Sequence, residues 1–408
     1  MITPKRVLIL SSDVGFGHRS AAQAIAAALE EKRGAECVVE IVNPLDDPRA
    51  PAVLRRGQVT YDDIVREMPE LQRVGYEAVD KLSAIGALER AATVLLFRVV
   101  YDLIKTRQPD VIVNTFPIYQ APLEAAFVIR KWACPVVTVV TDLGAVSRAW
   151  FHDVADLCVA PTERVREMAL EAKLASEAVE VIGIPVHPRV AQERRDPAAL
   201  RAELGWRPDL TTVLAVGSKR VTKLYDALEV LNHAGFPVQI AAVAGGDDEL
   251  YARLQKTEWH VPTHVYNFVG NLPRLMKAAD LLLTKAGGLI TTEGLACGLP
   301  LLIIEYIPGQ ETGNVEYVVG NGAGAYTEPP VPLLRTLCHW LGDDRRLLMG
   351  AAHKARQLGR PRAAYDIAER VWEYAQQGPA RLSRRERLQI LLPHVSGLLD
   401  RFSVRWRD

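Results

Sequence analysis

Short runs of β-branched and aliphatic residues alternate with amphipathic segments along most of the chain, and this alternation constrains the fold more than any other feature. Runs of this length that alternate with longer amphipathic stretches are typical of parallel sheets built from βαβ units. The pattern predicts strands at 7–12, 38–42, 111–114, 136–141, 157–160 and 180–182 in the first half. In the second half it predicts strands at 212–216, 238–243, 265–268, 281–284, 301–304 and 324–326. The predicted fold class is therefore α/β, with two parallel sheets.

A charged stretch with prolines, residues 186–208, interrupts this rhythm. A chain of 408 residues is long enough to form two hydrophobic cores. We therefore predict a first domain over residues 1–190 and a second over residues 191–360. A further helix and a basic tail, residues 361–408, need not belong to the second core.

Charge and cysteine content exclude several classes of protein. The 49 basic and 49 acidic residues cancel, which argues against a nucleic-acid partner. The five cysteines form no CxxC pair, so neither a zinc site nor a disulfide framework is predicted. The N-terminus lacks the pattern of a signal peptide. The most apolar stretch of the first half, residues 91–100, is broken by Arg98 and is too short to span a bilayer. We expect a cytoplasmic protein.

The first predicted strand leads into a glycine loop that ends in Gly17 and His18. Such a loop lies at the carboxyl edge of a parallel sheet, where ligands bind and glycine lets them approach the backbone. A neutral imidazole there can take a proton from an attacking hydroxyl, so His18 is a candidate base; packing or capping within the loop is the alternative. Ser20 replaces the third glycine of a dinucleotide fingerprint, which argues against NAD.

The helix that follows this loop has recognisable end signals. Ser20 and Gln23 fit a capping box, which predicts that the helix begins at Ser20. Gly34 fits the position just past the last turn.

Two polar motifs follow strands in the second half. Gly287 and Gly288 lie between a strand and a short helix, whose backbone N–H groups can hold a diphosphate. The next strand leads to Gln310, Glu311 and Asn314, with Gln310 and Asn314 expected on one helical face. Polar side chains at a strand's carboxyl end suit sugar hydroxyls.

Together these motifs closely resemble the monogalactosyldiacylglycerol synthases and processive diacylglycerol glucosyltransferases of glycosyltransferase family 28. The resemblance covers roughly residues 5–375 and depends on the order and spacing of its markers. They are the loop ending in His18, then 109–113, 140–142, 150–152, 183–186, Gly287-Gly288, Thr292-Glu293, 298–300 and 308–314. The resemblance implies the GT-B fold: two facing Rossmann-like domains, a UDP-sugar held by the second and a lipid acceptor met by the first.

The resemblance also implies functions for particular residues. Glu293 would hold the ribose hydroxyls, and Gln310 and Glu311 the hexose hydroxyls, with Asn314 in the same donor set. Helix-dipole or capping contacts are the alternative for Glu293 and Glu311. The backbone near Phe268 and Val269 would meet the uracil, unless these are ordinary core strand residues. In the loop Gly217-Ser218-Lys219-Arg220, Lys219 or Arg220 would face the phosphates or be surface bases.

The implied chemistry is a single displacement that inverts the anomeric centre and gives a β-glycoside. His18 takes the acceptor proton, and the helix start at Gly287-Gly288 neutralises the departing diphosphate. Asp142 is a second candidate base, an orienting partner for His18, or a structural acid. No metal or other cofactor is implied.

The sequence leaves several alternatives open. The likeness of residues 306–314 to galactolipid synthases favours UDP-galactose as donor and diacylglycerol as acceptor. Transfer of glucose, another lipid-linked acceptor, UDP-sugar epimerisation and a degenerate sugar-nucleotide sensor are the alternatives. Basic residues beside apolar ones, in the insert 45–107 and in the tail, predict peripheral binding to anionic lipids at the inner face of the cell membrane. No protein partner is implied.

Overall fold

The computed structural model describes residues 3–13, 16–50, 82–144 and 146–383. The first half of the chain forms a six-stranded parallel sheet with the order β2-β1-β3-β5-β6-β7. Its strands, with the short β4 that lies outside it, are β1 (Lys5–Leu10), β2 (Cys37–Val42), β3 (Val111–Asn114), β4 (Trp132–Ala133), β5 (Val136–Val139), β6 (Leu157–Ala160) and β7 (Val179–Val181).

Helices cover both faces of this sheet because its strands are apolar on both sides. They are α1 (Phe16–Arg33), α2 (Leu82–Arg107), α3 (Gln120–Arg130) and α4 (Glu163–Glu171). Val7 and Ile9 of β1 pack with the apolar face of α1. Leu8 and Leu10, which point the other way, pack with α2 and α3. The first sheet is therefore doubly covered.

Two short helices, α5 (Arg189–Gln192) and α6 (Pro197–Leu204), follow the first sheet. They lead into a second six-stranded parallel sheet with the order β10-β9-β8-β11-β12-β13. Its strands are β8 (Thr211–Val216), β9 (Val238–Val243), β10 (Thr263–Tyr266), β11 (Leu281–Lys285), β12 (Leu301–Glu305) and β13 (Gly324–Tyr326).

The second sheet is also covered on both faces. Its helices are α7 (Leu224–His233), α8 (Asp248–Lys256), α9 (Leu272–Ala278), α10 (Gly288–Ala296), α11 (Thr312–Gly320), α12 (Val331–Leu341) and α13 (Arg346–Leu358). All twelve predicted strands are present, with end points shifted by a few residues, and the predicted α/β class with two parallel sheets is confirmed.

The last helix, α14 (Ala363–Gln377), returns to the first sheet. Ile367 and Val371 of this helix lie in the same core as Val7 and Ile9. The chain then adds β14 (Ala380–Arg381), which pairs antiparallel with β4. The predicted domain limits at residues 190 and 360 stay predictions, and parts of the predicted insert and tail, residues 51–81 and 384–408, lie outside the described residues.

Two local predictions are wrong. Helix α1 begins at Phe16, so Ser20 lies inside it and does not cap it. The His18 carbonyl, which accepts from Thr115 Oγ1 at 3.3 Å, holds the earlier turn in place. Gln310 precedes α11 and shares no helical face with Asn314, because a turn at Gly309, whose φ is +85°, separates strand from helix. Gly34 does adopt the positive φ expected after the last turn of α1.

Candidate functional site

A cavity of about 210 Å³ lies between the two domains, at the carboxyl edges of both sheets. The first domain contributes Gly17, His18, Thr141 and Asp142 to its wall. The second contributes, among others, Ser218, Arg220, Lys285, Gly287, Gly288, Gln310 and Glu311. Residues from distant parts of the sequence thus meet at the place where open parallel sheets bind ligands.

His18 stands in the first turn of α1 and lies against aromatic side chains. Its ring packs edge-on to Phe116 at 4.9 Å between centroids, and at 6.0 Å from Trp150. Burial lowers the pKa of His18 from 6.5 to about 4, against a smaller opposing effect of a hydrogen bond with the Thr115 backbone. The positive end of the α1 dipole acts in the same direction as burial. The imidazole is therefore neutral at pH 7 and able to accept a proton.

Thr141 is the hydrogen-bond partner of the His18 ring. Thr141 Oγ1 lies 3.0 Å from His18 Nδ1, which leaves Nε2 as the second ring nitrogen. Asp142 is one predicted orienting partner of His18, but in the structure Thr141 takes that position. Because side chains alternate along an extended segment, the hydroxyl and not the adjacent carboxylate reaches the imidazole.

Asp142 faces the second domain. Its Oδ1 accepts a hydrogen bond from Asn314 Nδ2 at 3.4 Å. Burial raises the pKa of Asp142 to about 6; the Asn314 hydrogen bond lowers it, and the negative charge of Glu311 raises it further. Asp142 therefore changes its charge only a little below neutral pH.

The start of α10 forms the opposite wall. Gly287 is its N-cap residue and Gly288 its first residue. The first N–H groups of a helix have no partner within it and attract anions. A β-carbon on Gly288 would lie 2.5 Å from the Thr141 carbonyl oxygen, so only glycine allows this close approach. The wall can therefore bind an anion with its backbone.

A buried ion pair, which the sequence analysis missed, lies beside this helix start. Lys285 Nζ pairs with Glu311 Oε1, and the two side chains are only 9% and 6% exposed. Glu311 Oε2 also accepts from the Ile307 backbone N–H at 2.7 Å. The signal in the sequence was a lysine that ends the apolar strand β11. Glu311, a predicted hexose ligand, thus lines the cavity while bound by the protein itself.

The other predicted site residues divide into two groups. Ser218 and Gln310 line the cavity. Of the two basic residues predicted to face the phosphates, Arg220 lines the cavity and Lys219 is exposed. Outside the residues that line this cavity are Phe268, Val269, Glu293 and Asn314. Phe268 is 75% exposed. Burial raises the pKa of Glu293 to about 7.

The described ranges contain neither a metal-ligand cluster nor a membrane-spanning helix. No group of three or more His, Cys, Asp or Glu side chains there is arranged to hold a metal ion. None of the helices in those ranges is long and apolar enough to cross a bilayer.

Known structures share the two-domain architecture. MurG of Acinetobacter baumannii superposes with a TM-score of 0.57 at 17% identity, over 91% of this chain and 100% of that chain. The UDP complex of MnaA from S. aureus gives a TM-score of 0.59 at 16% identity, over 91% and 97%. The glycosyltransferase SnogD from Streptomyces nogalater gives 0.57 at 16%, over 91% and 99%. At these identities the likeness concerns the fold, and it confirms the predicted GT-B class.

Sequence relatives are more specific. Residues 18–186 match the model of the monogalactosyldiacylglycerol (MGDG) synthase family. The monogalactosyldiacylglycerol synthase of Spinacia oleracea is 32% identical over 392 residues, which cover 92% of this chain and 73% of that protein. Monogalactosyldiacylglycerol synthase 1 of Arabidopsis thaliana is 30% identical over 382 residues, or 91% and 71% of the two chains. With this identity over most of both chains, the protein belongs to the monogalactosyldiacylglycerol synthase family.

Proposed function

We propose that the protein transfers a hexose, with galactose favoured, from a UDP-sugar to the free hydroxyl of 1,2-diacylglycerol, with inversion to a β-glycoside. Family membership supports the class of reaction. The observation that carries the proposal is that His18 and the glycine start of α10 line one cavity from opposite domains. A proton acceptor and an anion-binding helix end thus face each other, as a displacement that releases a diphosphate requires.

His18 is the proposed general base. Thr141 Oγ1 lies 3.0 Å from its Nδ1, so Nε2 would be the nitrogen that takes the proton of the acceptor hydroxyl. The pKa of His18 is about 4, because burial disfavours the charged ring. A bound diphosphate would raise that pKa, since a nearby negative charge stabilises the imidazolium. Donor binding would therefore make the base stronger at the moment it is needed.

The diphosphate would lie against the start of α10. The free N–H groups of its first turn would donate to phosphate oxygens. Arg220 would add positive charge from the same wall. The positive charge and the helix dipole together would stabilise the negative charge of the departing diphosphate. We therefore propose a reaction without a metal cofactor.

The rest of the donor would extend from this wall. Gln310 and Glu311 line the cavity and would hold the hexose hydroxyls. Glu293, on α10 itself, would hold the ribose; its carboxyl group makes no hydrogen bond or ion pair with the described part of the chain. Ser218 would help to hold the phosphates, and the backbone at Phe268 and Val269 would meet the uracil.

The acceptor would come from a membrane surface. The described part of α2 exposes Val94 and Leu95, which are 80% and 41% exposed, one turn before the exposed Arg98. Apolar residues next to a base suit an anionic lipid surface. We propose peripheral binding at the inner face of the cell membrane from the cytoplasmic side, and the basic tail is a second candidate contact.

An assay with both radiolabelled UDP-hexoses and diacylglycerol, followed by lipid chromatography, tests the proposal. The expected product is a β-galactosyl lipid, and a His18→Ala variant is the matched negative control. Equal or better use of UDP-glucose would overturn galactose as the donor sugar. Transfer only to another lipid-linked acceptor, or epimerisation of the UDP-sugar without transfer, would overturn the reaction.

A further inference from the structure

Residues 141–144 of the first domain are held by hydrogen bonds from both domains. From the first domain, Thr162 Oγ1 donates to the Leu143 carbonyl at 2.9 Å. From the second, Asn314 Oδ1 accepts from the Leu143 N–H at 2.8 Å. Asn314 Nδ2 donates to the Ala286 carbonyl at 3.0 Å and to Asp142 Oδ1 at 3.4 Å. The Asn314 side chain is thus a buried bridge between the domains.

Glycines bring the two backbones into direct contact around this bridge. A β-carbon on Gly144 would lie 2.4 Å from the Gly313 carbonyl oxygen. On the other side, a β-carbon on Gly288 would lie 2.5 Å from the Thr141 carbonyl oxygen. Contacts this close exist only when the domains are in one relative position. Asn314 and these glycines therefore fix the relative position of the two domains that the structure shows.

The same segment carries the partner of the His18 ring. Thr141 Oγ1 meets His18 Nδ1 at 3.0 Å, one residue before the carboxylate that Asn314 contacts. A shift of this segment would move the hydroxyl away from the ring. A threonine hydroxyl can donate or accept, and when it accepts from Nδ1–H it favours the tautomer in which Nε2 can take a proton.

We propose that Asn314 is a positioning residue that couples closure of the two domains to the orientation of His18, acting through residues 141–144. This inference rests on the proposed function, because it takes His18 as the base. When the second domain closes on the first, the Asn314 side chain fixes the positions of Leu143 and Asp142. Thr141 then holds the His18 ring with Nε2 toward the cavity. Proton abstraction is thereby confined to the closed enzyme. Asn314 thus differs from the donor contact that the sequence resemblance implies.

Asn314→Ala is the direct test, and Asn321→Ala is its matched control. Asn321 follows α11, is exposed, and its Nδ2 donates within its own domain to the Tyr317 carbonyl at 2.7 Å. We expect Asn314→Ala to lower kcat about 10- to 100-fold, the size of effect that misplacing a catalytic group has. UDP affinity, from calorimetry, should change less than about threefold, and the control should match wild type. Loss of UDP affinity in parallel with activity would make Asn314 a donor contact and overturn the proposal, as would an unchanged kcat.

The tautomer of His18 gives a readout that does not depend on activity. Nitrogen-15 shifts of the ring should show the Nδ1–H form in the UDP complex of wild type and of Thr141→Ser, and a tautomer mixture in Thr141→Val and Asn314→Ala. Ring shifts in Asn314→Ala that equal those of wild type would overturn the coupling. If wild type transfers no sugar to diacylglycerol, the proposed function fails. The nitrogen-15 shifts and the UDP affinities still decide whether Asn314 controls the orientation and tautomer of the His18 ring. Thr141→Val leaves the domain bridge intact and tests the contact with the ring alone. If Asn314→Ala does not fold, Asn314→Asp takes its place, because it keeps an oxygen for the Leu143 N–H but has no N–H to donate to Asp142.

Discussion

The two walls of the cavity use different chemistry although they stand on similar sheets. The first domain presents two half-buried titratable side chains, His18 and Asp142. Desolvation lowers the pKa of His18 to about 4 and raises that of Asp142 to about 6. The second presents a helix start with Gly287 and Gly288, supported by one buried ion pair. Moving a proton needs a side chain with a tuned pKa, whereas holding a diphosphate needs close backbone N–H groups and hence glycine. The difference lies in the residues that follow the strands, not in the sheets.

The largest expected effect separates the two walls. His18→Ala should lower kcat by about 10²- to 10⁴-fold, as expected for loss of a general base. UDP affinity should stay nearly unchanged, because the donor is held by the other wall. Single-turnover kinetics and calorimetry measure the two quantities. Near-wild-type turnover would remove His18 from the base role and promote Asp142.

A smaller effect is expected on the second wall. Burial raises the pKa of Glu293 to about 7, so its carboxyl is mostly protonated below that pH and ionised above it. Ribose hydroxyls donate better to the ionised form, so UDP affinity should rise as the pH rises through about 7. Glu293→Gln should weaken UDP binding about tenfold above pH 7, near 1.4 kcal/mol for a lost hydrogen bond to a charged group, and remove the pH dependence. A wild-type affinity that is flat from pH 6 to 8 would contradict this assignment.

The comparison also extends to the outer surfaces of the domains. Arg98→Ala on α2 should weaken binding to anionic liposomes about fivefold, since a base near the surface contributes about 1 kcal/mol. Arg335→Ala on α12 is the matched control, because Arg335 is exposed beside the exposed Val331 and Leu334 in the second domain. Co-sedimentation at low and high salt measures both. If both variants lost the same amount of liposome affinity, the membrane-binding surface could not be assigned to the first domain.

The smallest expected effect concerns Asp142. Its pKa of about 6 lies above that of His18, at about 4. In a Glu293→Gln background, where donor affinity no longer changes near pH 7, kcat/KM should fall only as the pH drops toward 4 if His18 is the base, because the imidazole takes up a proton there. Asp142→Asn should change turnover at pH 7.5 less than about threefold. An acid limb centred near 6 that disappears in Asp142→Asn would instead assign the base to Asp142.

Local patterns predicted the elements and part of the site. Strand positions followed from apolar runs, and the glycines at the start of α10 were visible because a helix begins directly after a strand. The ion pair between Lys285 and Glu311 could not be predicted because the two residues are 26 residues apart in the sequence. A lysine at the end of a strand does not by itself indicate which carboxylate it pairs with. Thr141 and His18 are 123 residues apart, and only the packing of two strands beside α1 brings them together.

The return of α14 to the first domain means that the chain passes between the domains twice. The two passages touch, since a β-carbon on Gly183, before the first, would lie 3.0 Å from Arg360 Cβ in the second and 3.4 Å from Ala363 Cβ. Two adjacent passages resist twisting and sliding more than a single linker does, so a rotation of one domain against the other would bend both passages together. Such a rotation would widen the cavity between the domains, and the residues that bend would lie far from the proposed catalytic residues. A cut between residues 360 and 363 would leave the first passage as the one covalent connection between the two sheets. The second domain would then rotate more freely against the first.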